Sequence, residues 1–125
     1  MPTFLTPQCL AVDDDPICLK LAEAACKKIE IELHKVSDVH QMIDMLKVRR
    51  FDLILLDNDI AGGRGHDVLD YTDAQIPPST QIIVYSSSVT EEDRSKYARF
   101  IVREYLVKPL SVDVISFAMR KALKL

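Results

Sequence analysis

The sequence has no cysteine framework. Its three cysteines, Cys9, Cys18 and Cys26, are odd in number and lack a CxxC spacing, and His34, His40 and His66 stand far from them. Neither a set of disulfides nor a zinc site is indicated, and reduced, mostly buried thiols of a cytosolic protein are expected. Positive charge is not in excess either. A formal net charge of -3 and a pI near 5.6 argue against the basic face that direct binding to nucleic acid requires. No apolar run approaches the roughly 20 residues of a membrane span. The start, Met1-Pro2-Thr3-Phe4, lacks a basic segment followed by an apolar one, so a soluble, cytoplasmic chain without membrane insertion is expected. The glycines are few, and Ala61-Gly62-Gly63-Arg64-Gly65 is followed by no P-loop Lys-Ser/Thr and forms no GxGxxG. A nucleotide cradle is therefore not indicated, and the stretch reads better as a mobile turn. With 125 residues the chain is expected to form one domain, 1–125, large enough to bury a core without staples.

What is present is organised around Phe51-Asp52-Leu53-Ile54-Leu55-Leu56-Asp57. So short an apolar run closed by acids reads as a fully buried strand ending at Asp57. Before it, Gln8–Val12 reads as a first strand running into Asp13-Asp14-Asp15-Pro16, where Asp15 can cap a helix and Pro16 can open it. That helix is predicted over about Pro16 to Lys28, with Cys18, Leu21, Ala22, Ala25, Cys26 and Ile29 on its buried face. Ile29, Ile31, Leu33 and Val36 mark a second strand, and Val39, Met42, Ile43 and Leu46 a second helix ending near Arg49-Arg50.

After the glycine-rich turn a short third helix runs to about Tyr71, and Pro77-Pro78 ends the connection. Gln81–Tyr85 is the fourth strand, closed by Ser86-Ser87-Ser88. Thr90 and Asp93 form a capping box for a fourth helix with Tyr97 and Ile101 on one face. Glu104–Val107 is the fifth strand, ending at Lys108-Pro109, and a last helix covers about Val112 to Leu123. Strand and helix alternate five times. A doubly wound α/β fold follows, a five-stranded parallel sheet with helices on both faces and right-handed crossovers.

In such a sheet every polar motif falls on the carboxyl edge, where ligands bind. Asp13, Asp14 and Asp57 would repel one another there unless a cation joined them, and a hard, oxygen-loving ion such as magnesium fits three carboxylates and a phosphate. Lys108 would add a second positive charge, and Ser86 a hydroxyl for a phosphoryl oxygen. A carboxylate so placed can act as a nucleophile toward phosphorus. Taken one at a time, Asp57 could merely cap a turn, Lys108 form a structural ion pair and Ser86 sit on a surface turn. It is their joint placement that points to chemistry.

The motifs Val12-Asp13-Asp14-Asp15-Pro16, Asp52-Leu53-Ile54-Leu55-Leu56-Asp57, Ser86-Ser87 and Tyr105-Leu106-Val107-Lys108-Pro109 resemble, in order and spacing, those of the receiver domains of two-component response regulators. The resemblance spans nearly the whole chain. It implies the flavodoxin-like strand order 2-1-3-4-5 and Asp57 as phosphoacceptor. It also implies magnesium held by Asp13, Asp14, Asp57 and the backbone carbonyl of Asp59, with Ser86 and Lys108 on the phosphoryl group. Ser86 and Tyr105 would form the switch. A sensor histidine kinase or histidine phosphotransfer protein would be the donor in a phosphorelay, and the face made by the fourth helix, fifth strand and fifth helix would take a downstream protein. Such a chain is a signalling domain that catalyses its own phosphotransfer and dephosphorylation, not an enzyme in the usual sense. With no output segment after Leu125, it is expected to act by binding a partner or passing phosphate onward.

Three departures from the family pattern stand out: Ile60-Ala61 in place of Met-Pro, Asp59 in place of a neutral side chain, and Phe100-Ile101-Val102 in place of small residues. At least one of these three apolar side chains is expected to be exposed. The Asp59 carboxylate is expected to lie beside the phosphoryl group and hasten its hydrolysis. Two rival readings are a phosphorylation-independent interaction module with the same fold, and a flavodoxin-like cofactor protein. The first is disfavoured because every acid and the lysine are present, the second because no phosphate loop or stacking residue for a flavin is found.

Overall fold

The computed structural model describes residues 6–125; residues 1–5 of the expected domain lie outside the described residues. Its elements are β1 (Gln8–Val12), α1 (Pro16–Lys28), β2 (Glu32–Val36), α2 (Val39–Val48), β3 (Leu53–Leu56), a hairpin of β4 (Asp59–Ile60) and β5 (Gly63–Arg64), α3 (Gly65–Thr72), a 3-10 turn (Asp73–Gln75), β6 (Gln81–Ser86), α4 (Glu91–Lys96), β7 (Val102–Val107) and α5 (Val112–Leu123). The main sheet has the order β2-β1-β3-β6-β7, all parallel. With the hairpin set aside, this is the expected 2-1-3-4-5.

The three central strands are apolar at nearly every position because both faces are covered. Alternation then assigns the residues. Cys9, Ala11, Leu53, Leu55, Ile83 and Tyr85 face α1 and α5, while Leu10, Val12, Ile54, Leu56, Ile82 and Val84 face the layer that includes α2, α3 and Tyr97. Each fully buried Leu or Ile contributes about 1.5–3 kcal/mol, and a one-residue slip would exchange the two faces without exposing either. What pins the register is the polar tips. Cys9, Cys18 and Cys26 are buried, as expected.

Local signals set the helix ends. The Ile17 N–H donates to Asp15 Oδ1 at 2.9 Å ahead of Pro16, and the Gln41 N–H to Asp38 Oδ1 at 2.8 Å. Ser111 caps α5. The Thr90–Asp93 capping box is complete, the Asp93 N–H donating to Thr90 Oγ1 at 3.1 Å and the Thr90 N–H to Asp93 Oδ2 at 3.0 Å.

Four expectations need correction. The glycine-rich stretch is not a mobile turn: it folds into the β4–β5 hairpin, pairing Asp59 with Arg64 and Ile60 with Gly63, with Gly62 at φ 97° supplying the turn that other residues resist. The fourth helix stops at Lys96, and Tyr97 and Ile101 do not share a face. Tyr97 is fully buried and Ile101 is 65% exposed, because tightening bonds from Ala98 N–H to Ser95 and from Phe100 N–H to Tyr97 unwind the segment. Ile29 and Ile31 precede β2 instead of belonging to it, and β7 begins at Val102, ahead of the predicted Glu104. The exposure of Ile101 meets the expectation for the Phe100–Val102 stretch.

Replacing Thr90 by alanine should cost about 1 kcal/mol, the usual worth of an N-cap. Hydrogen bonding from Thr90 holds the Asp93 carboxyl below its ordinary range. Its contribution is therefore present above the unfolded carboxylate value of about 3.9 and is lost as pH falls through the lower folded value. Urea denaturation of wild type and Asp93→Asn should show a stability gap at pH 7 that closes in acid; a gap that persists in strong acid would assign Asp93 a role other than its charge.

Candidate functional site

Parallel pairing carries one residue past each strand and so aligns the tips. The Asp57 N–H donates to the Val12 carbonyl at 3.0 Å, the Asp13 N–H to Val36 at 3.1 Å and the Lys108 N–H to Ser86 at 2.9 Å. Asp13, Asp57, Ser86 and Lys108 are thereby held on one edge by the sheet ladder itself, with no loop between them and the core.

Asp13 and Asp57 are only 5% and 6% exposed. One oxygen from each of Asp13, Asp14 and Asp57 can be chosen so that all three lie within 4.8 Å of one another. Lys108 Nζ donates to Asp13 Oδ2 at 2.6 Å and to Asp57 Oδ2 at 3.1 Å. The second oxygen of each buried acid accepts a backbone N–H two residues on: Asp15 to Asp13 Oδ1 at 2.9 Å, and Asp59 to Asp57 Oδ1 at 3.2 Å. Three carboxylates against one ammonium leave negative charge in excess. Two like charges about 4 Å apart near a protein surface repel by about 4 kcal/mol, so the cluster is under electrostatic strain.

The titration behaviour follows from this crowding. Burial pushes the Asp13 carboxyl above its ordinary value, with the Asp57 charge adding to it, and the hydrogen bond from Lys108 only partly offsets them. Burial works against the charge on Lys108, but its bonds to Asp13 and Asp57 outweigh burial and raise its pKa. The lysine is a fixed cation.

Ser86 ends β6 with a buried hydroxyl that has no hydrogen-bond partner among the described residues. A buried unpaired hydroxyl costs free energy, and at the carboxylate edge it is a donor left for an incoming anion. Tyr105 is half-buried on β7, its ring beneath the Arg94 guanidinium at 4.5 Å and edge-on to Tyr97 at 6.0 Å. Asp59 departs from expectation. Its carboxylate is outside the group of three and pairs with Arg64 Nε at 2.9 Å, the side chain 60% exposed, because the hairpin register sets the two residues opposite each other. Asp14 is exposed, the open side of the cluster.

Sequence reasoning missed a second layer. Asn58, fully buried, accepts a hydrogen bond from the Tyr97 hydroxyl at 2.9 Å. Arg64 bridges Asp59 to Asp93 Oδ1, the latter at 2.6 Å. Asn58 was findable in principle as an amide set directly between two acids; Tyr97 carried no such signal.

The family model described as the response regulator receiver domain matches residues 9–120. The chain belongs to that family. As a receiver domain it is 27% identical over 118 residues to the response regulator protein PilR of Pseudomonas aeruginosa, covering 93% of this chain and 26% of PilR. It spans less than half the length of the curated relatives it matches. Among solved structures, a CheY-like receiver domain protein from Methanospirillum hungatei superposes with a TM-score of 0.88 at 17% identity, over 96% of this chain and 95% of the other. The receiver domain of the sensor histidine kinase PA1611 of Pseudomonas aeruginosa, with magnesium coordinated in its active-site cleft, gives a TM-score of 0.79 at 19% identity over 97% and 100% of the two chains. Both likenesses concern the fold.

Removing Lys108, the only cation among the described residues bonded to both buried acids, should expose their repulsion. Lys108→Met is expected to lower stability at pH 7 by about 3 kcal/mol, as breaking a buried ion pair does. A carboxyl with a raised folded pKa binds more protons when folded, so stability falls as pH rises through that value. The deficit should accordingly shrink as pH is lowered toward 5. Equal deficits at both pH values in urea denaturation would mean lost packing, not repulsion.

Proposed function

We propose that residues 1–125 act as one phosphoacceptor switch of a two-component or phosphorelay system, with Asp57 as the residue that carries the phosphoryl group. The observation that carries this reading is the buried Asp57 carboxylate, bonded to Lys108 and adjoined by Asp13 and Asp14, on the sheet edge where the buried Ser86 hydroxyl also stands without a partner among the described residues. An Asp57 oxygen attacks phosphorus in a phosphohistidine of a sensor kinase or histidine phosphotransfer protein. The oxygen–phosphorus bond forms as the nitrogen–phosphorus bond breaks, and the imidazole leaves with the electron pair and takes up a proton. Lys108 and Ser86 hold phosphoryl oxygens. Attack by water on the same phosphorus later returns the carboxylate and releases inorganic phosphate.

The donor set fits magnesium, since hard oxygen ligands surround a site with excess negative charge. Asp13, Asp14, Asp57 and the Asp59 backbone carbonyl would hold the ion, and it would supply positive charge toward the phosphoryl oxygens. The magnesium in the PA1611 receiver domain supports the assignment. The working location is the cytoplasm, and no helix among the described residues is long and apolar enough to cross a membrane. A downstream protein would dock on α4, β7 and α5, where Val107, Phe117 and, between α4 and β7, Ile101 are exposed.

Two measurements test this reading. Magnesium at a hundredfold excess over its dissociation constant should raise stability by about 2.7 kcal/mol. The gain should vanish in Asp14→Ala, and an equal gain in that variant would place the ion elsewhere. Acetyl phosphate with magnesium should add one phosphate by intact mass to wild type and none to Asp57→Asn. Absence of phosphate from both would favour a phosphorylation-independent interaction module on the same fold.

A further inference from the structure

α4 has only six residues, Glu91–Lys96, fewer than an isolated helix needs to hold itself together in water. It is held at both ends by residues from the loop that follows Asp57. At its start, Asp93 completes the capping box and also receives Arg64, whose guanidinium reaches back to Asp59. At its end, Tyr97 turns inward and donates its hydroxyl to Asn58 Oδ1 at 2.9 Å, and the Asn58 amide points at the Ser88 carbonyl 3.5 Å away.

The inward turn of Tyr97 is built for. A Cβ on Gly65 would lie 2.5 Å from the Tyr97 hydroxyl and 2.9 Å from the Asp57 carbonyl oxygen, so the glycine is the space in which the tyrosine meets the phosphoacceptor loop. The His66 ring packs edge-on against Tyr97 at 5.4 Å, and the Tyr105 ring does so at 6.0 Å. Burial keeps the phenol protonated, and therefore a donor.

We infer that Asn58–Tyr97 and Asp59–Arg64–Asp93 form a double strap through which events at Asp57 set the position of α4, with Tyr97 as its positioning residue. The inference rests on Asp57 being the phosphoacceptor. Asn58 and Asp59 are the next residues after it, and the Asp59 N–H is already bonded to the Asp57 carboxylate. A phosphoryl group on one Asp57 oxygen carries about 1.5 to 2 negative charges where the carboxylate carried one, and it changes the group that accepts the Asp59 N–H, so the backbone of both strap residues must respond. This route does not pass through Ser86 and Tyr105, and it makes the Tyr105 ring follow Tyr97, against which it packs.

The test is amide hydrogen exchange across residues 89–101 of the full chain, with and without acetyl phosphate and magnesium, with uptake followed by intact mass. Wild type, Tyr97→Phe, Arg64→Gln and Tyr105→Leu are compared. Tyr97→Phe keeps the ring and loses only the hydroxyl. Without phosphate it should exchange about fivefold faster at the end of α4, the equivalent of one hydrogen bond of about 1 kcal/mol. It should gain phosphate as wild type does, yet show no further change at the end of α4 on phosphorylation. Arg64→Gln should lose the response at the start of α4, and Tyr105→Leu should keep the response at both ends. Phosphate uptake in Tyr97→Phe with the wild-type exchange change, or loss of the change in Tyr105→Leu alone, overturns the strap. A wild-type chain that takes no phosphate overturns the phosphoacceptor reading, and the strap with it.

Discussion

Lys108 is bonded to Asp13 and Asp57 at once, and the site depends on that shared ammonium. Two carboxylates in a largely buried edge cannot both stay ionised without a partner, and one cation placed between them satisfies neither fully. The arrangement is thus stable enough to fold and still short of positive charge, the property a magnesium- and phosphate-binding site needs. A site neutralised by two lysines would be more comfortable and less receptive.

The sheet makes this economy possible. Because the strands are parallel and centrally buried, their carboxyl ends converge on one edge, and the ladder continues through the Asp13, Asp57 and Lys108 amides. Side-chain placement is then fixed by the same hydrogen bonds that fix the strands. Each buried acid also accepts a backbone N–H from its own following turn, which holds the carboxylate plane while leaving the Lys108 side of the cluster to change partners.

The features legible in the sequence were those whose cause is local. Apolar runs that end on an acid or a lysine gave β1, β3 and β7 their tips, and Asp15 with Pro16 and the Thr90–Asp93 pair set the starts of α1 and α4 correctly. The unread features arise from contacts between distant segments. Asn58 and Tyr97 are 39 residues apart, and nothing near Tyr97 announces that its hydroxyl will be buried; helical periodicity placed it with Ile101 instead. Asp59 was misread because spacing from Asp57 predicts its direction in an open loop, whereas the β4–β5 hairpin turns it to Arg64. The resemblance to the family supplied roles for residues at matching motifs, and it was silent on Asn58, Arg64 and Tyr97, which lie outside those motifs.

These two kinds of contact have different mechanical consequences. The strand tips belong to the most buried part of the molecule, where local opening costs nearly the full unfolding free energy. α4 lies at the other extreme: all of its residues but Asp93 are exposed, and its ends are tied by one hydrogen bond at Tyr97 and one ion pair at Asp93. A rigid carboxylate cluster joined by few bonds to a weakly held helix is suited to turning a local charge change into a displacement. The charge cannot move the sheet, so the compliance of the structure directs its effect to α4. Tyr97 then has a double part, since its ring fills the space beneath α4 while its hydroxyl reports on the loop beside Asp57. A smaller residue there would leave the helix free of the site, and a larger apolar one would hold it in place without sensing anything.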